Sequence, residues 1–343
     1  MKVSIDPGGG LVIGAELLAD KVFNTHFVDL AGQSHFSAAE LLGKVRTLAR
    51  FAERLAEMLE DAIAASPFDV GQISRIAIAL PALVDSETGV VHWMTTFEEA
   101  PYPFAEAITR RIGVPVTIEN GSTSLARAEH WFGSAKSIDH FSLFFIDLWV
   151  DAAQYADGLP RVGGNGFNSE IGHVKTDTSD NARPCLCGAR GCAAAYGSIY
   201  GILLGSGALA GADMGSLPNF LEMFADLTDR AAQGDDETLR MFSMAGAHLG
   251  MLISDHINAF DPKDVFVLMT DRRLLELVRP SLEQTIDRNV FAPLLQRTHI
   301  RIGSPTEDWR WKGAAAHALE QTYLAGSGSK TRPQPRLTVG VRG

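Results

Sequence analysis

The sequence predicts an α/β protein with largely parallel sheets, because apolar strand-like segments alternate with long helical ones over 343 residues. The apolar runs at 75–84 and 264–269 are typical of buried strands. The stretch 236–260 is long enough for a helix of many turns and ends at Asp261-Pro262. A chain of this length favours two domains over one.

The remaining segments support this fold in order along the chain. Residues 10–17 and 20–33 are interpreted as two strands joined by a short turn, and 37–66 as a helix with Ser37 as N-cap and Glu40 three residues later. Three further strands are predicted at 115–119, 140–150 with a hairpin after it, and 299–303; three further helices are predicted at 122–132, 272–290 and 311–324.

Charge and hydropathy exclude several classes of partner. The formal net charge of −11 opposes contact with polyanions, so we expect no DNA binding by this chain alone. No apolar run reaches the roughly 18 residues that span a bilayer, and the N-terminus lacks the apolar core of a secretory signal. We therefore expect a cytoplasmic protein with no membrane partner. The Gly-, Ser- and Pro-rich end, 326–343, is expected to be a disordered tail.

All three cysteines lie within eight positions, as Cys185, Cys187 and Cys192. An odd number cannot pair completely into disulfides, whereas three thiolates and one further ligand satisfy tetrahedral zinc. His173 is the simplest fourth ligand, because the polar segment after it can fold back. Four protein ligands favour a structural rather than a catalytic metal. The alternative is three reduced thiols packed as small apolar groups, although Gly, Arg and Pro flank them.

The cysteine segment EIGHVKTDTSDNARPCLCGARGC resembles the signature of the ROK family of repressors and sugar kinases. Four other segments are similar to the family's: IAIALPALVDSETGVVHW, GVPVTIENGSTSLARAEHWFG, GGNGFNSEIGH and WKGAAAHAL. The resemblance implies a two-domain actin-like ATPase (ribonuclease H-like) fold with zinc in the 173–192 loop, and a homodimer or homotetramer. It implies one domain at 1–119, completed by a C-terminal helix at about 306–325, and a larger one at 120–305.

The catalytic residues of the family's kinases are missing. By this resemblance the general base falls at Gly121, which has no side chain, and the nearest carboxylate, Glu119, should point to the other side of its strand. Gly-rich turns that bind phosphate are replaced at three places. These are Glu16-Leu17-Leu18-Ala19-Asp20, Asp147-Leu148-Trp149 and Met269-Thr270-Asp271. We therefore expect neither ATP nor Mg²⁺ to be a cofactor and assign no catalytic residue.

The resemblance also places four ligand-binding residues. Asn120, Glu170 and His173 match positions that contact the sugar in the family, and Asn165 lies in the adjoining loop. Part of that polar set is lost, since the family's Glu after the last cysteine is Ala194 here. Either a monosaccharide effector still binds, or Asn120 and Glu170 only satisfy backbone groups where the domains meet.

Three functions remain open from the sequence. The preferred one is the sugar-sensing body of a ROK-type transcriptional regulator without catalysis, in which no helix-turn-helix precedes the segment SIDPGGGLVIG. The second is an ATP-dependent kinase for glucose or N-acetylhexosamines. The third is a pseudokinase that binds a protein partner and no small ligand.

Overall fold

The computed structural model describes residues 10–18, 21–94, 97, 101–209, 217–305 and 309–324. Within these residues the chain builds two five-stranded sheets, each covered by helices on both faces. The segment 326–343, expected to be a disordered tail, lies outside the described residues, as do Ala19 and Asp20 of the first altered phosphate turn.

The first sheet is built from the N-terminal part of the chain. Its strands and the small hairpin beside it are β1 (Leu11–Leu17), β2 (Val22–Asp29), β3 (Ser34–Leu41), β4 (Ile73–Leu80), β5 (Leu83–Asp85), β6 (Val90–Trp93) and β7 (Val116–Asn120). The sheet order is β3-β2-β1-β4-β7, and β5 pairs with β6. Strands β1 to β3 are antiparallel, because short turns join them, whereas β1, β4 and β7 are parallel.

Helices α1 (Leu48–Ala65) and α2 (Phe104–Ile112) cover one face of this sheet, and α3 (Gly121–Phe132) follows β7 directly. The core under α1 is aromatic and includes Phe51 and Phe104, whose ring centroids are 5.0 Å apart. Burying these rings removes a large apolar area from water, which is the main force that holds α1 and α2 on the sheet.

The helix expected at 37–66 is partly wrong. Residues 34–41 form β3, an edge strand paired with β2, and α1 begins only at Leu48. The N-cap is Thr47, whose side chain accepts a hydrogen bond from the Arg50 amide at 3.1 Å, and not Ser37. Pairing with β2 overrides the helix propensity of the Ala-Ala-Glu-Leu sequence, which local spacing alone could not show.

The second sheet is built from β8 (Phe141–Ile146), β9 (Val150–Ala156), β10 (Leu159–Pro160), β11 (Asp264–Met269) and β12 (His299–Gly303). Its order is β10-β9-β8-β11-β12, again antiparallel in one half and parallel in the other. Both sheets are therefore mixed, and the expectation of largely parallel sheets holds for only half of each. The remaining helices are α4 (Ala194–Gly197), α5 (Ile199–Gly205), α6 (Leu217–Ala232), α7 (Asp236–Phe260), α8 (Arg272–Asn289), α9 (Ala292–Leu295) and α10 (Trp309–Leu319).

The C-terminal helix α10 packs on the first sheet, on the face opposite α1 and α2, through Trp311, Ala315 and Ala318. It also crosses α3 very closely. A Cβ on Gly313 would lie 1.7 Å from the carbonyl oxygen of Ser124, so only glycine permits this approach. Helix α3 in turn lies on the second sheet through Leu125 and Ala126, so α3 and α10 connect the two sheets.

Candidate functional site

The cysteine loop is a compact pair of turns between β10 and α4. The Cys185 amide donates to the Ala189 carbonyl oxygen at 2.8 Å, which closes a turn that contains Cys187. Gly191 has a φ of +77°, and a Cβ there would lie 1.8 Å from the Asp177 carbonyl oxygen. A glycine is therefore required at this position to bring Cys192 back beside the other two thiols.

His173 and the three cysteines converge at one point. One ligand atom from each lies within 4.8 Å of all the others. The His173 Nδ1 is 3.6 Å from the Cys185 Sγ, and the Cys187 and Cys192 Sγ atoms are 3.7 Å apart. Tetrahedral zinc with Zn–S bonds of about 2.3 Å requires ligand separations of about 3.5–3.8 Å. The donor types and these separations fit zinc.

Two features adjust the charge of this cluster. The Lys175 Nζ donates to the Cys192 Sγ at 2.7 Å, and this bond raises the pKa of Lys175. Burial raises the pKa of the Cys185 thiol to about 12 in the metal-free protein. Since a metal binds the thiolate, metal binding would release that proton. Lys175 then offsets the one negative charge that three thiolates leave on a zinc ion.

His173 connects the cysteine loop to the ligand-binding residues that the sequence predicts. It ends a short helical turn, Ile171–His173, and its Nε2 lies 3.9 Å from the Glu170 Oε2. The Glu170 side chain is 44% exposed, and partial burial raises its pKa. One ring nitrogen of His173 thus faces the cysteines while the other faces a solvent-accessible carboxylate.

Asn120 has a structural role in addition to any contact with a ligand. It is the N-cap of α3, where its Oδ1 accepts from the Ser122 amide at 2.9 Å and its Nδ2 donates to the Ala82 carbonyl oxygen at 3.2 Å. Asn165 lies in an exposed turn, where the Gly163 amide donates to the Phe167 carbonyl oxygen at 2.7 Å. The structure brings Glu170 and His173 together, and binding at Asn120 and Asn165 stays a prediction.

Glu119, the carboxylate nearest to Gly121 along the chain, is paired within the protein. Its carboxylate is buried and accepts two hydrogen bonds from the Arg127 guanidinium, at 2.6 and 3.2 Å. The charge of Arg127 lowers the pKa of Glu119 against the effect of burial. A Cβ added to Gly121 would have its nearest neighbours at 3.8 Å, so the structure has room for a Cβ there.

The residues that replace the phosphate turns make contacts within the protein. Asp271 caps α8, since it accepts hydrogen bonds from the amides of Arg273 and Leu274 at 2.7 and 3.1 Å. Asp147 accepts from the Thr270 Oγ1 at 3.1 Å, which joins the second and third altered turns. The amide groups at the start of α8 are therefore occupied by a carboxylate of the chain itself.

Sequence reasoning missed two charged residues near Gly121. Asp151 is the second residue of β9, and burial together with the charge of Glu170 raises its pKa to about 7. Arg310, in the first turn of α10, has its Nε 3.5 Å from the Glu16 Oε2. The sequence pattern predicts only a hairpin at Asp151. A single carboxylate directly after an apolar run is nevertheless unusual enough to indicate a candidate functional residue. No local signal places Arg310 beside Gly121.

Together these features define a two-sheet α/β protein with a His/Cys3 cluster next to the junction of the sheets. The ROK family matches residues 26–320, and the chain belongs to that family. The fold is accordingly the actin-like ATPase fold, and the family assignment made from the cysteine segment is confirmed.

Curated relatives of the chain include transcriptional repressors. The DNA-binding transcriptional repressor Mlc of Escherichia coli is 27% identical over 258 residues, which is 75% of this chain and 63% of Mlc. The N-acetylglucosamine repressor of Shigella flexneri is 25% identical over 258 residues, 74% of this chain and 62% of that protein. The chain thus spans less than two thirds of the length of these relatives.

A solved structure from each branch of the family shares the fold. A ROK family transcriptional regulator, a homologue of the E. coli Mlc protein, superposes with a TM-score of 0.74 at 24% identity, over 92% of this chain and 79% of the other. A ROK family glucokinase from Streptomyces griseus, solved with glucose and AMPPNP, superposes with a TM-score of 0.69 at 20% identity, over 91% of this chain and 100% of the glucokinase. In the described part of the chain, no helix has the length and apolarity to cross a membrane.

Proposed function

We propose that this chain is the sugar-sensing body of a ROK-type transcriptional regulator and that it does not transfer phosphate. The observation that carries the proposal is at Gly121. The residue has no side chain where the kinases would carry a base, and the adjacent carboxylate of Glu119 is buried in an ion pair with Arg127. Glu119 does not replace the base, because a buried and paired carboxylate with a lowered pKa is a poor proton acceptor.

The altered phosphate turns support the same proposal. A triphosphate needs free backbone amides and positive charge, but Asp271 occupies the amides at the start of α8 and Asp147 adds a carboxylate nearby. The curated relatives that align with this chain are named as repressors, which favours the regulator branch over the kinase branch.

We propose that His173, Cys185, Cys187 and Cys192 hold a structural zinc ion. Zinc would supply a fixed tetrahedral centre and no open coordination position. Zinc binding would hold the cysteine loop closed and would fix the His173 ring with its Nε2 toward Glu170. His173 and Glu170 then present a donor and an acceptor side by side, an arrangement that suits adjacent hydroxyl groups of a sugar.

The proposed output is a change in how the two sheets are arranged. A ligand that contacts Glu170 and His173, in the segment after the second sheet's strand β10, and Asn120 at the end of the first sheet's strand β7 would favour a closed arrangement. The homodimer or homotetramer expected from the family resemblance remains part of this proposal, and light scattering on the purified chain tests it.

A thermal-shift screen of the zinc-loaded chain against monosaccharides, with and without Mg-ATP, tests the proposed function. We expect one neutral sugar to raise Tm without ATP. Glu170→Gln should reduce that shift, whereas Glu283→Gln, an exposed glutamate on α8, should not. Stabilisation that requires Mg-ATP, together with ADP release, would favour the kinase. No stabilisation by any sugar would favour the partner-binding pseudokinase.

A further inference from the structure

Arg310 joins both sheets beside the position of the missing base. Its Nε lies 3.5 Å from the Glu16 carboxylate on β1, and its guanidinium carbon is 5.4 Å from the ring centroid of Phe145 on β8. Its Cδ would be 3.8 Å from a Cβ on Gly121. The stem of Arg310 therefore lies at van der Waals distance from the Cβ that a side chain at position 121 would have, and its charged end is held by Glu16 and the aromatic face of Phe145.

Asp151 faces the same space from β9. It lies on the side of β9 that carries Ala153 and Tyr155, which pack toward α3. Glu170, Arg310 and Asp147 are all close enough for their charges to act on its carboxyl group. In the part of the chain that the structure describes, the Asp151 carboxylate makes no hydrogen bond or ion pair, so it is available to accept hydrogen bonds from a ligand.

The charges around this space are unbalanced. Glu16, Asp147, Asp151 and Glu170 contribute four carboxyl groups, whereas, within the described residues, Arg310 is the cation that acts on Asp147 and Asp151. Lys175 is bound to the Cys192 Sγ, and the Nζ of Lys312 lies over the Trp311 ring, 5.4 Å from its centroid. The space stays net negative even when Asp151 is protonated. A dianionic phosphate brought there meets repulsion from several groups at partial desolvation.

We propose that Asp151 and Arg310 make the ligand site select an unphosphorylated sugar. Asp151 accepts hydrogen bonds from the hydroxyl groups nearest Gly121, and the stem of Arg310 and the surrounding carboxylates leave no place for a phosphate ester on them. This inference rests on the proposed sugar-sensing function and adds the chemical class of the ligand and two residues that determine it.

Matched sugar pairs test the inference by calorimetry on the full zinc-loaded chain. The probes are glucose and glucose 6-phosphate, N-acetylglucosamine and its 6-phosphate, and xylose, which has no sixth carbon. We expect at least one neutral sugar to bind and its 6-phosphate to bind on the order of tenfold more weakly or worse. Asp151→Asn should weaken binding of the neutral sugar severalfold. The affinities for the neutral sugar and for its 6-phosphate should then be closer to each other. Asp157→Asn, at the exposed residue that follows β9, should change neither affinity.

The possible results separate this inference from the proposed function. A 6-phosphate that binds as tightly as its parent sugar, or more tightly, contradicts the inference but keeps the sensing function. If a sugar 6-phosphate binds tightly and Arg310→Gln abolishes that binding, Arg310 binds the phosphate group instead of excluding it. If no probe of either kind binds, the sensing function itself is contradicted and the inference with it. The melting temperature of each variant shows whether it is folded.

Discussion

Replacing Arg127 with Met is expected to be among the most destabilising single changes in this protein. Arg127 is buried, donates two hydrogen bonds to Glu119 and contacts Glu320, while Trp131 Nε1 donates to Glu320 at 2.7 Å. Methionine preserves the stem but leaves two carboxylates without their cation. Breaking a buried pair in this way costs about 3–5 kcal/mol. At about 2–3 °C per kcal/mol for a chain of this size, Tm should fall by about 6–15 °C.

Arg110→Met is the matched control for this prediction. Arg110 pairs with Glu106 on α2, but both side chains are mostly exposed, at 74% and 65%. Such a helical pair contributes about 0.2–0.5 kcal/mol, so Tm should change by less than about 2 °C. Differential scanning calorimetry of both variants measures the contrast. Equal small shifts would refute the reasoning, because the pair at Arg127 would then contribute no more than a surface one.

Three further predictions concern the metal, the base position and pH. Cys187→Ser should abolish bound zinc in elemental analysis, whereas the exposed loop residue Asp180→Asn should keep about one ion per chain. Gly121→Asp should fold normally, since its Cβ has room, and should still produce no ADP from Mg-ATP and sugar; turnover in this variant would show that the phosphate turns are intact. Burial lowers the pKa of His256 and of His317 from 6.5 to about 4, so the unfolded chain binds protons first as pH falls. Urea unfolding should therefore show stability decreasing from pH 6.5 toward pH 4, less steeply in His256→Gln; identical slopes would contradict this.

Most of the fold could be predicted from the sequence where one local signal decided the structure. The helix at Asp236–Phe260 and the strand at Asp264–Met269 agree with their predicted bounds, because length and continuous apolarity are local properties. The edge strand β3 could not be predicted, since only its pairing with β2 decides between strand and helix. The mixed direction of both sheets also depends on pairing between distant segments.

In the candidate site, too, the features set by local sequence could be predicted and those set by distant packing could not. The spacing of the three cysteines with His173 predicted a cluster that the structure assembles within 4.8 Å. Whether Glu119 is free could not be predicted, because its ion pair with Arg127 depends on how α3 packs against β7. The approach of Arg310 to Gly121 could not be predicted, because it depends on how α10 crosses α3 and on the absence of a Cβ at Gly313.

The most direct test of the central claim is simultaneous measurement of sugar binding and ADP release by the same zinc-loaded preparation. Calorimetry would first identify a neutral sugar that binds, and a coupled assay would then follow ADP in the presence of that sugar and Mg-ATP. The account predicts saturable binding with no ADP release above a control without protein. Binding accompanied by sustained ADP release and a phosphorylated sugar would contradict it, because Gly121 and the occupied turns would then not prevent phosphate transfer.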